Sequence, residues 1–269
     1  MNLSGNTILI TGGTSGIGLA LARALLARGN TVLVTGRAEE RLADARRSAP
    51  GLHTFVCDQN DPASIKRLCF VVTRDFPQVN ILINNAGIGR RLDLNDTRGD
   101  LEDLEDLETE IRTNLIGPLQ LIGQLLPHLK QQGSATIINV TSGLAFIPLP
   151  LKPIYCATKA AMHSYTQSLR VQLRQSNIKV IELAPPATRT NFNKGQEEMN
   201  TARLMDVDKL AQAALRDLER DREEILPGMA WLLRLIGRLN PRATLRRAEA
   251  EEMGRRARSL PSRPPQQPR

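Results

Sequence analysis

The chain repeats one pattern: a short β-branched run, a turn, then a segment of helical spacing. Thr7–Thr11 (TILIT) is apolar, β-branched and followed by glycines. From Gly16 to Arg28, Ile17, Leu21, Ala24 and Leu25 share one helical face, and Gly29 is a stop signal. Further strands are expected at 31–35, 53–57, 80–83, 136–140, 179–183 and 224–226. Helices are expected at 38–48, 62–75, 155–175 and 206–220. Strands alternating with helices imply right-handed crossovers and a parallel sheet. The nearly continuous apolar strands suit a sheet covered on both faces. The expected fold class is therefore α/β, with a parallel sheet between layers of helix.

The first strand-to-helix turn reads Thr11-Gly12-Gly13-Thr14-Ser15-Gly16-Ile17-Gly18. Glycines let a backbone approach a pyrophosphate closely. The helix beginning there offers unpaired N–H groups and a positive dipole end to the anion. The spacing is GxxxGxG rather than GxGxxG. Alone such a loop is a weak signal, also met in plain βα turns. Its position between an N-terminal strand and a helix is the one a dinucleotide site requires.

The end of the second strand is where the adenosine ribose is read. It holds Gly36 and then Arg37, with no carboxylate to accept from a 2′-hydroxyl. A guanidinium there suits a 2′-phosphate, which favours NADP(H) over NAD(H). Asp58, after the third strand, is a candidate acceptor for the adenine amino group. Asn84-Asn85-Ala86-Gly87 closes the fourth strand at the sheet's carboxyl edge.

Tyr155 and Lys159 stand at i and i+4 near a helix start and share a face. A free phenol ionises near pH ~10, and a neighbouring ammonium would bring it toward the working range. Ser142 follows the fifth strand, thirteen residues before Tyr155, where its hydroxyl can meet a substrate oxygen as charge builds. Asn114 lies in a helical pattern after an acidic stretch.

Together TGGTSGIG, NNAG, Asn114, Ser142 and Tyr155-x-x-x-Lys159, in this order and at these distances, resemble the short-chain dehydrogenase/reductase family over residues ~7–190. Thr141–Phe146, Tyr155–Ser164 and Ala184-Pro185-Pro186-Ala187 resemble its DltE-like branch. The resemblance implies a doubly wound Rossmann fold around a central parallel sheet of about seven strands, and hydride exchange between a nicotinamide and a carbonyl or secondary alcohol. In it Tyr155 handles the proton, Lys159 lowers its pKa and holds the ribose, Ser142 orients the substrate, and Asn114 holds a relay water. The cofactor is expected at Thr11, Gly12, Thr14, Ser15, Gly16, Ile17, Gly18, Arg37, Asp58, Asn85, Ala86, Gly87, Tyr155, Lys159, Pro185 and Thr190. Where the family has Pro-Gly, this chain has Pro185-Pro186, which has no N–H at the second position and fixes φ. The resemblance also implies a homodimer or homotetramer.

Composition bounds the alternatives. Apolar residues make up 41% and charged residues 24% of the 269, ordinary for a globular chain. Aromatics at 3% poorly supply a stacking platform for nucleic acid. Of the net +8, +7 falls from Arg234 onward, where ten arginines oppose three glutamates. A uniformly basic nucleic-acid binder would not look like this, so no nucleic-acid partner is expected. Cys57, Cys69 and Cys156 have no paired or metal-like spacing, so no metal is expected and a cytoplasmic, reducing compartment is simplest. No signal peptide and no membrane span are read.

Residues 1–233 are expected to form a single catalytic domain, with a polar substrate lid over 188–205. Residues 234–269 read as a basic appendage whose end is too polar and proline-rich to order. Leu101–Thr113 reads as a helix with a solvated acidic face, an acidic docking patch being the lesser alternative. The amphipathic segment Ala230–Leu239 is expected to pack on the core or a partner subunit, with membrane-surface contact as the alternative. Against the enzyme stand two other readings: a cofactor-binding sensor without turnover, and a membrane-associated scaffold acting through the basic tail.

Overall fold

The computed structural model describes residues 1–92, 102–190, 192, 204–240, 242, 245 and 246. Most of the expected lid and tail therefore lie outside the described residues. Seven strands form one sheet: β1 (Thr7–Ile10), β2 (Thr31–Gly36), β3 (His53–Val56), β4 (Val79–Asn84), β5 (Ala135–Val140), β6 (Ile178–Leu183) and β7 (Glu224–Ile225). Their order is 3-2-1-4-5-6-7, and every pairing is parallel. Successive strand residues point to opposite faces, which divides the core in two. Ile8, Ile10, Val32, Val34, Ile81 and Ile83 pack with α1 (Gly16–Leu26) and, farther along the chain, the Val207–Glu219 helix. Leu9, Leu33, Leu82, Ile137 and Val180 face the other way.

The second face is covered by α3 (Pro62–Asp75), α5 (Gly117–Leu129) and α6 (Pro153–Gln172), while α2 (Glu39–Ser48) packs beside β2 and β3. α3 starts where expected because Asp61 accepts from the N–H groups of Ala63 and Ser64, with Pro62 at the first helical position. The Val207–Glu219 helix is α7, capped in the same way by Asp206. It follows α4 (Glu102–Ile111), α5 and α6 in chain order. Crossing from β1 to β4 reverses the winding of the sheet and opens a crevice at the carboxyl ends of the strands.

Two features differ from the sequence reading. Asn114 sits in a π-helical stretch, Arg112–Ile116, between α4 and α5. The widened turn is a feature often met at functional sites. The acidic face of α4 is not wholly solvated, because Glu110 is 1% exposed. Leu107, Glu110 and Asn114 follow each other at helical spacing, so Glu110 shares the inward face.

Ala230–Leu239 forms α8, which runs across the boundary expected at residue 233. Ala230 is fully buried. Arg234 ion-pairs with Glu224 of β7. A side chain at Gly237 would overlap the Phe146 carbonyl. The outer face is left open: Trp231, Leu235 and Leu239 are exposed. Among the described residues no helix is long and apolar enough to cross a membrane.

Candidate active site

The glycine loop lies between β1 and α1, and its glycines are dictated by neighbours. Gly12 has φ +65°, and a Cβ there would come within 2.8 Å of Ala86 Cα. A Cβ on Gly18 would overlap the Gly12 carbonyl oxygen and meet Asn85 Nδ2 at 2.5 Å. The loop is braced from β4. Thr11 Oγ1 accepts from the N–H groups of Asn85 and Ala86, both at 3.0 Å. Asn85 Nδ2 donates to the carbonyls of Thr11 and Gly12 at 2.9 and 3.1 Å.

These loops border one long cleft of about 980 Å³. Gly12, Thr14, Ser15, Gly16 and Ile17 line its middle, with Asn85, Ala86 and Gly87 alongside. Thr11, Gly18 and Asn114 do not line it; they stand behind the wall and hold it. One end is bordered by Arg37 and Asp58, and also by Glu40 and Arg41, which the sequence reading did not single out. Arg37, in the bend after β2, and Arg41, in the first turn of α2, are both exposed. A side chain at Gly36 would have to displace Thr14, since a Cβ would lie 2.5 Å from Thr14 Cγ2. One oxygen of Asp58 accepts from the Asn60 N–H at 2.9 Å.

The other end gathers Ser142, Tyr155, Lys159, Pro185 and Thr190. Ser142 stands two residues past the end of β5 and caps a 3-10 turn, Gly143–Ala145, by accepting from the Leu144 N–H at 3.1 Å. Pro185 accepts from the Gly143 N–H at 2.9 Å through its carbonyl, so this backbone is anchored although Pro186 replaces a glycine. Thr190 lies against the loop: a Cβ on Gly16 (φ +55°) would meet its Cγ2 at 3.2 Å. The Asn114 amide donates to the Ile88 carbonyl and accepts from the Ile88 N–H. It also donates to Thr158 Oγ1 at 3.2 Å. Both side-chain N–H groups are thus spent on protein.

Lys159 Nζ donates to the Val140 carbonyl at 2.9 Å and lies 5.8 Å from the Tyr155 ring centre. Burial draws its ammonium down to about 8, with Glu110 acting against the shift. Burial pushes the Tyr155 phenol up to about 12, and the hydrogen bond from Ser142 opposes this. That direction is opposite to the one expected from a Tyr–Lys pair. Lys159 is turned to a backbone carbonyl, and desolvation of the phenol wins.

Three further side chains complete this end without having been expected. Phe192 lies with its ring centre 5.4 Å from that of Tyr155. Leu233 of α8 reaches the cleft against Gly143. Lys152, at the N-cap of α6, holds its ammonium 5.0 Å from the Phe192 ring centre. Phe192 had no periodic signal. Lys152 had one, a basic residue immediately before Pro153 at the positive end of a helix.

Among the described residues no cluster of His, Cys, Asp and Glu is disposed to hold a metal. The three cysteines are buried and unpaired.

The short chain dehydrogenase family model matches residues 6–201. The uncharacterised oxidoreductase DltE of Bacillus subtilis (strain 168) is 42% identical over 227 residues, covering 84% of this chain and 89% of that protein. A short-chain dehydrogenase from Burkholderia cenocepacia J2315, solved in complex with NADP, superposes with a TM-score of 0.79 at 26% identity. It covers 92% of this chain and 99% of that one. A 3-ketoacyl-(acyl-carrier-protein) reductase from Brucella melitensis, solved with NADH, gives 0.70 at 27% identity over 80% and 91% of the two chains. The chain belongs to the short-chain dehydrogenase/reductase family, in its DltE-like branch.

Proposed function

We propose that the protein is an NADP(H)-dependent reductase that reversibly converts carbonyl compounds to alcohols, with Tyr155 as the proton donor. One observation carries the reading: Ser142, Tyr155 and Lys159 converge at one end of a continuous cleft whose other end is bordered by Arg37 and Arg41. The glycine loop lies between them. The residues fit a dinucleotide, because any side chain at Gly12 would collide with Ala86 and narrow the channel beside the α1 N-terminus.

When bound, the nicotinamide supplies the hydride. The N–H groups opening α1 bind the pyrophosphate, and Arg37 and Arg41 bind a 2′-phosphate. Lys159 holds the nicotinamide ribose hydroxyls, while Ser142 orients the substrate oxygen by a hydrogen bond. Tyr155 gives its hydroxyl proton to that oxygen. A phenol held near 12 stays protonated at neutral pH, which favours the reductive direction. Support for hydride chemistry also comes from the NADP-bound dehydrogenase and the ketoacyl reductase that share the fold.

The test is loss of nicotinamide absorbance when NADPH is incubated with a panel of aldehydes and ketones. Tyr155→Phe should abolish turnover and leave NADPH affinity within a few-fold. If the purified variant retains near-native turnover, the assignment of Tyr155 is wrong. Wild type that binds NADPH yet turns over no carbonyl would favour the non-catalytic sensor.

A further inference from the structure

We propose that Lys152 recognises an anionic group on the substrate, so that the enzyme selects small oxo-acids, carbonyl compounds bearing a carboxylate or sulfonate, over neutral carbonyls. The proposal rests on the cleft being the site of carbonyl reduction.

Lys152 is 7% exposed. Its ammonium makes no hydrogen bond or ion pair with any described residue and is set over the Phe192 ring. A buried ammonium without a paired acceptor is costly. Its placement adds to the cost, because Lys152 is the N-cap of a twenty-residue helix, where the helix dipole disfavours a cation. Nothing in the folding of α6 calls for a lysine here. Pro153 already supplies the first helical residue, and no side-chain cap is made.

Charge alone does not make a site; where the charge points does. Lys152 lines the main cleft with Tyr155, Leu149 and Phe192. Glu110, the buried acid that acts electrostatically on Lys152, does not line it. Glu110 borders an adjoining cavity of about 50 Å³, accepts from the Arg90 N–H at 3.2 Å, and leaves its other oxygen without a partner. The carboxylate thus stands behind the ammonium, and the ammonium faces the cleft. The anion it awaits must come from the cleft side.

The spacing limits the size of the ligand. Lys152 Nζ is 5.0 Å from the Phe192 ring centre, which is 5.4 Å from that of Tyr155, so ammonium and phenol ring can be no more than about 10 Å apart. A carbonyl at Tyr155 and an anion at Lys152 can then belong to one small molecule. Phe192 packs over Tyr155 and the α-carbon of Gly89, where a Cβ would lie 2.5 Å from Phe192 Cζ. That apolar wall lowers the local dielectric beside the ammonium and strengthens its charge interactions.

The experiment compares succinic semialdehyde with its methyl ester, which keeps the aldehyde and chain and removes the charge. With NADPH, wild type should favour the acid by tenfold or more in kcat/KM. Lys152→Gln should erase most of that preference, mainly through KM of the acid, and Lys152→Arg should restore part of it. Calorimetry gives a readout independent of turnover. Succinate or ethanesulfonate should bind NADPH-loaded wild type, and Lys152→Gln should weaken that binding tenfold or more. An ester used as well as the acid, or anion binding that is absent or unchanged in the glutamine variant, would overturn the proposal. If anion binding depends on Lys152 yet no carbonyl of either kind is reduced, the recognition site stands and the reductase reading fails.

Discussion

Asn114 grips the backbone of Ile88 with both ends of its amide: Oδ1 accepts from the Ile88 N–H at 2.8 Å, and Nδ2 donates to the Ile88 carbonyl at 2.7 Å. Ile88 is the first residue after Asn84-Asn85-Ala86-Gly87, so this pair fixes the loop that carries one wall of the cleft. Gly87 is wedged between Asn114 and Lys159, since a Cβ there would meet Asn114 Oδ1 at 3.2 Å and Lys159 Nζ at 3.5 Å. The π-helical turn brings Asn114 to this position.

Replacing Asn114 by alanine leaves a backbone N–H and C=O unpaired next to a buried site, a cost of about 1–3 kcal/mol. The variant should melt several degrees lower and bind NADPH more weakly, and its turnover should fall further than its stability. Thermal melts and cofactor titration check both. A variant that loses turnover with unchanged melting and cofactor affinity would mean that Asn114 acts only on the proton path.

The pH dependence should come from Lys159 rather than Tyr155. With the phenol near 12 and the ammonium near 8, raising pH removes the Lys159 charge first. Its ordinary value is 10.5, so burial brings this loss into the accessible range. The kcat/KM for NADPH reports groups of the free enzyme. It should be level below pH 8 and fall above it. Lys159→Arg should flatten that limb, because a guanidinium keeps its proton. A wild-type profile level to pH 10 would show that the ammonium is not drawn down.

Arg37 and Arg41 both border the adenosine end of the cleft. NADPH should bind more tightly than NADH by roughly tenfold, the scale of one charge-assisted hydrogen bond. Arg37→Ala should narrow the gap, and the double alanine variant should close it. Equal affinities for the two cofactors in wild type, measured by titration, would overturn the preference.

The sheet was legible because its strands are short β-branched runs between turn signals, and a parallel sheet buried on both faces demands that composition. The glycine loop and the Tyr155–Lys159 face were legible because they are local in the chain. Residues that reach the cleft through tertiary packing were harder to see. Phe192 stands in polar sequence, and its place over Tyr155 depends on how the chain folds back after β6. Glu110 looked like one more acid on a charged helix, although its spacing from Leu107 and Asn114 put it on the inward face. The direction of the Tyr155 shift was missed for a related reason. An i, i+4 spacing shows that two side chains share a face; it does not show that the ammonium will turn to the Val140 carbonyl.

α8 allows the sharpest test of how the C-terminal segment contributes. Its inner edge does two things. Ala230 and Leu233 pack beside Gly143, the residue after Ser142, and Arg234 pairs with Glu224 on the last strand. Its outer edge exposes Trp231 at 55% and Leu239 at 75%. Removing residues from Pro261 onward should leave folding and turnover intact, since that stretch is proline, serine, glutamine and arginine with no large apolar side chain to bury. Removing everything from Ala230 should lower the melting temperature and reduce turnover, because the support under Ser142 goes with it. Leu233→Ala isolates the inner contact and should cost about 1–3 kcal/mol, less than a fully buried leucine because Leu233 keeps some exposure to the cleft. Trp231→Ser with Leu235→Ser isolates the outer face. If that face joins subunits, the double variant sediments as a smaller species with its catalytic cleft intact. If it keeps wild-type mass and loses binding to anionic vesicles, the outer face is a membrane contact and the subunit reading is wrong.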